Sequence, residues 1–148
     1  MQGLAFNLII STLMMTLTVV IHFFGIVFLL RLLSTHGKRV AHLHENLRQI
    51  LFLIMAVFGL VFLHTVEIWT YALLYIWLGA LHGFEPALYF STVCFTTLGL
   101  GDIVLGPEFR IISAIEAANG LILFGWTTAF LISLMGKLRA FEHDWFER

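Results

Sequence analysis

The stretch Thr96-Thr97-Leu98-Gly99-Leu100-Gly101-Asp102 sets two hydroxyls, two glycines and an acid side by side in a very apolar chain. Three kinds of chemistry use such residues. A plain turn uses Gly-x-Gly-Asp for its backbone freedom. A nucleotide-binding loop uses glycines to bring the backbone against a pyrophosphate. A cation site uses backbone carbonyls, which replace the ion's water without supplying full charge, so that the ion can bind and still leave. Glycines at 99 and 101 open positive φ to the chain. Alternated with Leu98 and Leu100, they can turn successive carbonyls to one side. Thr97 would add a hydroxyl at the inner end, and Asp102 a carboxylate at the outer mouth. The nucleotide reading fails, because the third glycine of the dinucleotide fingerprint and its strand–helix context are both missing.

Four more groups with chemistry lie inside long apolar runs: His22, His64, Glu67 and Glu116. Ionisable groups in such places are functional suspects. His64 and Glu67 are a helical turn apart, with His64 read as structural. Glu116 could bond to the segment preceding the glycine stretch and tune it, or pair with His64 or Glu67 as a clamp. Histidines on two runs also fit axial haem ligation, but a haem bundle has no use for a short segment and a glycine loop. His42 and His44, two apart, point to different helix faces and suit a pH response better than a metal.

The elements that must position these groups follow from composition. The chain has 148 residues, 60% hydrophobic and 11% charged, with net charge −1 and mean hydropathy +0.97. So much apolar surface exceeds what a soluble domain of this size can bury, so the class is an all-α integral membrane protein. The near-zero charge gives no sign of nucleic-acid binding, and no enzyme activity or cofactor is expected. Cys94, the only cysteine, fits neither a zinc nor a redox motif. The first apolar run lacks a basic leader and is too long for an ordinary signal peptide.

Three runs, Leu4 to Leu33, Leu51 to Leu81 and Ile111 to Met135, each exceed the ~20 residues a spanning helix needs. Ala87 to Leu98 is too short to span and reads as a re-entrant half-span, so the loop after it should line a pathway. The expected organisation is a transmembrane helix at 1–33 and a cytoplasmic amphipathic connector at 34–49. A membrane domain at 50–137 and a short cytoplasmic tail at 138–148 follow. Within the membrane domain the outer helix is 50–81, the half-span helix 86–97, the loop 97–101 and the inner helix 110–136. Of the eight Lys and Arg residues, all but Arg110 fall around the connector or after the third run. The positive-inside rule makes those segments cytoplasmic and puts the N-terminus and the 82–110 loop outside. Val40, Leu43 and Leu47, with Lys38, Arg39 and Arg48, suit a connector helix on anionic lipid; a static extension of the second span fits as well. Pro86 and Glu85 suit the first turn of the half-span helix. Its C-terminus then turns partial negative charge toward the loop, which favours a cation.

From Glu85 to Met135, with the second run as outer helix, the chain resembles the pore module of the tetrameric potassium-channel superfamily. The motif TTLGLGD stands against that family's T-T-V-G-Y-G-D. The resemblance implies three transmembrane helices with a re-entrant pore helix, assembled as a homotetramer in a plasma or bacterial inner membrane. Potassium ions, as permeant ligands, would bind at Thr97, Leu98, Gly99 and Leu100, with Gly101 completing the filter. Thr96, Asp102, Tyr89 and Glu116 would support it, with Tyr89 placed to bond Asp102 as an aromatic does in relatives. Leu98 for Val is a mild change. Leu100 for Tyr removes the hydroxyl of an aromatic cuff, and Gly-Leu-Gly resembles one pore loop of some two-pore-domain channels. Gly120 lies about where the family places its hinge. Phe124, Thr128 and Ile132 then repeat at four-residue steps as inner-pore and gate candidates, or else pack between helices. Alternatives to a potassium channel are a non-selective monovalent cation channel and a non-conducting accessory membrane subunit. No run carries the repeated Arg or Lys of a voltage sensor, and the first helix could brace the outer helix or sense the bilayer.

Overall fold

The computed structural model describes residues 3–39 and 44–146, and their side chains except at 36–39, 45, 46 and 138–146. Four helices follow one another: α1 Leu4–Arg39, α2 Glu45–Trp77, α3 Phe84–Phe95 and α4 Arg110–Phe146, with no strand among the described residues. Three of them, over Leu4–Thr35, Leu47–Trp77 and Arg110–Lys137, are long and apolar enough to cross a membrane. Less than a third of each span's apolar window is buried within the chain. Most of every span therefore faces lipid or another chain.

Inside hydrocarbon, polar groups must find partners within the protein. Three α1 threonines do so by bonding back to their own helix: Thr12 to the Leu8 carbonyl, Thr16 to Thr12 and Thr18 to Met14. α1 and α2 approach closely through two glycines. A β-carbon on Gly25 would strike the Leu63 side chain, and one on Gly59 would strike Leu29. Small residues at such crossings let packing replace the missing hydrophobic drive between helices in lipid. Ile26, Leu29, Leu33, Ala56, Leu60 and Leu63 form the core of this contact.

α3 packs against α2 and α4, as α1 does, and α1 and α3 do not meet. A second core surrounds α3, with Tyr71, Tyr75, Phe90, Phe95, Ile112 and Leu123 at its centre. Leu105, 6% exposed, draws the end of the glycine loop back into it. Asn7 at the start of α1 donates to the Glu108 carbonyl at 2.5 Å, tying the start of α1 to the segment that leads into α4.

Helix ends differ from the sequence reading in three places. α1 continues to Arg39 and α2 begins at Glu45, so the two helices take up most of the stretch read as a 34–49 connector. Val40, His42 and Leu43 lie outside the described residues. α3 runs from Phe84 to Phe95 rather than 86–97, because Gly83, at φ 96°, opens it early. α4 continues through the 138–146 stretch read as a tail; nothing from Lys137 to Phe146 is a proline that would stop it.

Candidate functional site

The end of α3 decides the geometry of the loop. Thr97 N–H donates to the Cys94 carbonyl at 2.9 Å and Leu98 N–H to Val93 at 3.0 Å. These two bonds make a Schellman motif, which needs a left-handed residue just past the cap. α2 ends the same way with Gly79, at φ 69°, in that place. In α3 the place belongs to Thr97, at φ 59°. A β-branched residue there costs about 1–3 kcal/mol and persists only where its surroundings fix it. The missing glycine is why the sequence put the helix end two residues late.

From Thr97 the handedness alternates. Gly99 and Gly101 have φ of 57° and 77°, whereas Leu98 and Leu100 keep negative φ. Alternating hands send successive N–H groups to one side of a chain and carbonyls to the other. Nothing lies within 4 Å of a β-carbon built on either glycine, so conformation and not space requires them. Leu98 and Leu100 are 63% and 58% exposed. Thr96 bonds back to the Thr92 carbonyl at 2.7 Å.

Beyond the loop, the Tyr89 hydroxyl donates to Asp102 Oδ2 at 2.6 Å, and Asp102 Oδ1 accepts from the Ile103 N–H at 3.1 Å. The Tyr89 bond, above all, holds the Asp102 carboxyl below the usual carboxylate range. Behind α3, Glu116 is fully buried. Its Oε1 accepts from Ser91 at 2.6 Å and its Oε2 from Tyr75 at 2.5 Å. Of the two roles open to Glu116, the structure therefore gives it the bond to the half-span helix; His64 and Glu67 meet elsewhere.

The inner-helix candidates separate. Gly120 is buried, and a β-carbon there would strike the Phe95 carbonyl, so it admits the end of α3 against α4. Phe124 packs on Phe95 and His64, with ring centroids 5.7 and 4.4 Å apart, which accords with the packing alternative. Thr128, bonded back to Phe124, and Ile132, 67% exposed, face out from the chain.

Sequence reasoning missed how the other polar groups connect. Asn119 donates to Thr18 at 2.7 Å and to Tyr71 at 3.2 Å, joining α4 to α1 and α2. His22, His64 and Glu67 meet one another and Thr127. The available signal was the stripe Glu116, Asn119, Leu123 and Thr127, at three- and four-residue steps one position away from the stripe traced as pore-lining.

A helical membrane protein with three helices of spanning length, a short fourth helix and a loop of alternating φ after it is thus defined. Residues 50–137 match the ion channel family, and the chain belongs to that family. The match takes in α3, the loop, most of the spanning part of α2 and that of α4, and α1 lies outside it. No curated protein and no solved structure matches the chain.

Proposed function

We propose that this ion channel is a potassium-selective pore, formed as a homotetramer in the cell membrane with the N-terminus outside. Thr97, Leu98, Gly99, Leu100 and Gly101 are its filter, and their carbonyls take the place of the ion's water. The observation that carries this reading is the alternation of φ at 97, 99 and 101 directly after the C-terminus of α3. That C-terminus adds partial negative charge, and carbonyl rings are how a pore can strip and release a cation. One loop per chain closes a ring only with symmetric copies. Conduction is passive, down the gradient.

The deciding experiment is a bi-ionic reversal potential of the reconstituted protein, with potassium on one side and sodium on the other. Reversal near the potassium limit is expected. Reversal near zero with sustained current overturns selectivity. Gly99→Ala should abolish current, since a β-carbon resists φ 57°.

Leu100 favours a second reading, a non-selective monovalent cation pore. Its side chain has no hydroxyl with which to anchor the loop, and it is 58% exposed. Under the first reading Leu100→Tyr preserves or tightens selectivity. A marked gain in potassium over sodium from that change, starting from little preference, would establish the second.

A further inference from the structure

His22 on α1, His64 and Glu67 on α2 and Thr127 on α4 meet in the apolar interior, away from the loop. His22 Nδ1 lies 2.8 Å from Glu67 Oε1, and His64 Nδ1 lies 2.8 Å from Glu67 Oε2. His22 and Glu67 are wholly buried, and His64 is 7% exposed. On the far side of both rings stands one oxygen. Thr127 Oγ1 is 2.9 Å from His64 Nε2 and 3.5 Å from His22 Nε2. The Trp126 ring closes over His22 at 5.2 Å.

The hydrogens of this cluster do not balance when Glu67 is ionised and both rings are neutral. Glu67 accepts from both Nδ1–H groups, which leaves both Nε2 atoms as acceptors. They face a single hydroxyl with a single proton. One buried imidazole nitrogen is then left without a donor, at a cost of about 1–3 kcal/mol.

The geometry points to a transition-metal site, of the zinc class, bound by Nδ1 of His22, Nδ1 of His64 and the Glu67 carboxylate. With the ion between them, each ring carries its hydrogen on Nε2. Thr127 Oγ1 has two lone pairs and accepts both. Its own proton is free to turn to its helix, as that of Thr128 does toward Phe124. The candidate ligand atoms lie within 4.8 Å of one another, and zinc bonds of ~2.0–2.2 Å fit after the 2.8 Å contacts open by a few tenths of an ångström. Two imidazoles and a carboxylate are a recurrent zinc set. Metal-ligating histidines almost always give their other N–H to an oxygen acceptor, which Thr127 supplies to both. The divalent charge also meets the cost of a carboxylate inside the membrane. The site joins α1, outside the family match, to α2 and α4 within it.

The test is a calorimetric titration of metal-free, full-length protein in detergent with Zn²⁺, with Co²⁺ absorption as a report on coordination. One ion per chain is expected, with micromolar or tighter affinity and a tetrahedral Co²⁺ spectrum. His22→Gln should remove this binding. Thr127→Val touches no ligand and should weaken it on the order of 10- to 100-fold. Helicity and elution volume show whether each variant folds; should His22→Gln misfold, Thr127→Val alone decides. No stoichiometric binding by the folded wild type overturns the proposal. So does uptake of protons without metal, or affinity unmoved by Thr127→Val.

Discussion

The Ser91 hydroxyl, midway along α3, lies 2.6 Å from Glu116 Oε1 on α4, and the other oxygen of that carboxylate is held by Tyr75 of α2. One buried acid thus fixes the short helix to both of its neighbours. Glu116→Ala leaves the buried Tyr75 hydroxyl without its acceptor, leaves Ser91 only the Ile68 carbonyl, and opens a cavity, so a loss of about 2–5 kcal/mol is expected. Glu116→Gln keeps an acceptor and should lose less. Thermal unfolding measures both. In reconstituted protein the alanine variant should also let sodium through, because the helix that carries the loop is no longer held.

Gly120 and Gly125 lie on the same helix but meet different surroundings. A β-carbon at 120 would strike the Phe95 carbonyl, whereas one at 125 meets nothing. Gly120→Ala should therefore cost about 1–3 kcal/mol by overpacking. Gly125→Ala should be neutral or stabilise by about 0.4–1 kcal/mol. If instead the two variants unfold at the same temperature and only gating kinetics change at 120, a hinge role outweighs packing there.

Thr97 supplies a hydroxyl at the expense of backbone strain. Thr97→Gly relieves the left-handed conformation and should raise stability by about 1 kcal/mol while lowering conductance. Thr97→Ser keeps the hydroxyl and should keep most of the current. Unfolding midpoints and single-channel recordings on the two variants separate the contributions. A glycine variant that is less stable than the wild type contradicts the strain argument.

The hydrogen bond from Tyr89 lowers the Asp102 pKa in the folded protein. The sign follows: its stabilisation is present above the carboxylate's unfolded pKa and is lost only as pH falls through the lower, folded value. Tyr89→Phe removes the largest cause and moves the titration upward. Current through the variant should then decline at a higher external pH than in the wild type. Superimposed acid-block curves would mean that Asp102 does not govern the outer mouth.

Much of this was legible in the residues. Three runs of spanning length, one run too short to span and a Gly-Leu-Gly loop are local signals, and local composition decides them. The Tyr89–Asp102 bond was legible through resemblance. The start of α3 was not, because Gly83 reads equally as a loop residue and as a cap. Its end was hidden by Thr97, which holds a left-handed position without the residue that usually marks one. The pairing of His22 with Glu67 joins residues on two helices, and helical periodicity fixes a face but not which faces meet. For the same reason the stripe through Thr127 was missed.

The crossing of α1 and α2 is reciprocal: Gly25 receives Leu63, and Gly59 receives Leu29. Each helix thus carries one notch and one peg, set four residues apart. Neither glycine can enlarge alone. Across diverged copies of this chain the four positions should therefore change in step, a larger residue at 25 appearing only with a smaller one at 63, and likewise for 59 and 29. Such paired drift would record, in sequences alone, that the first helix has been inherited together with the pore it leans on.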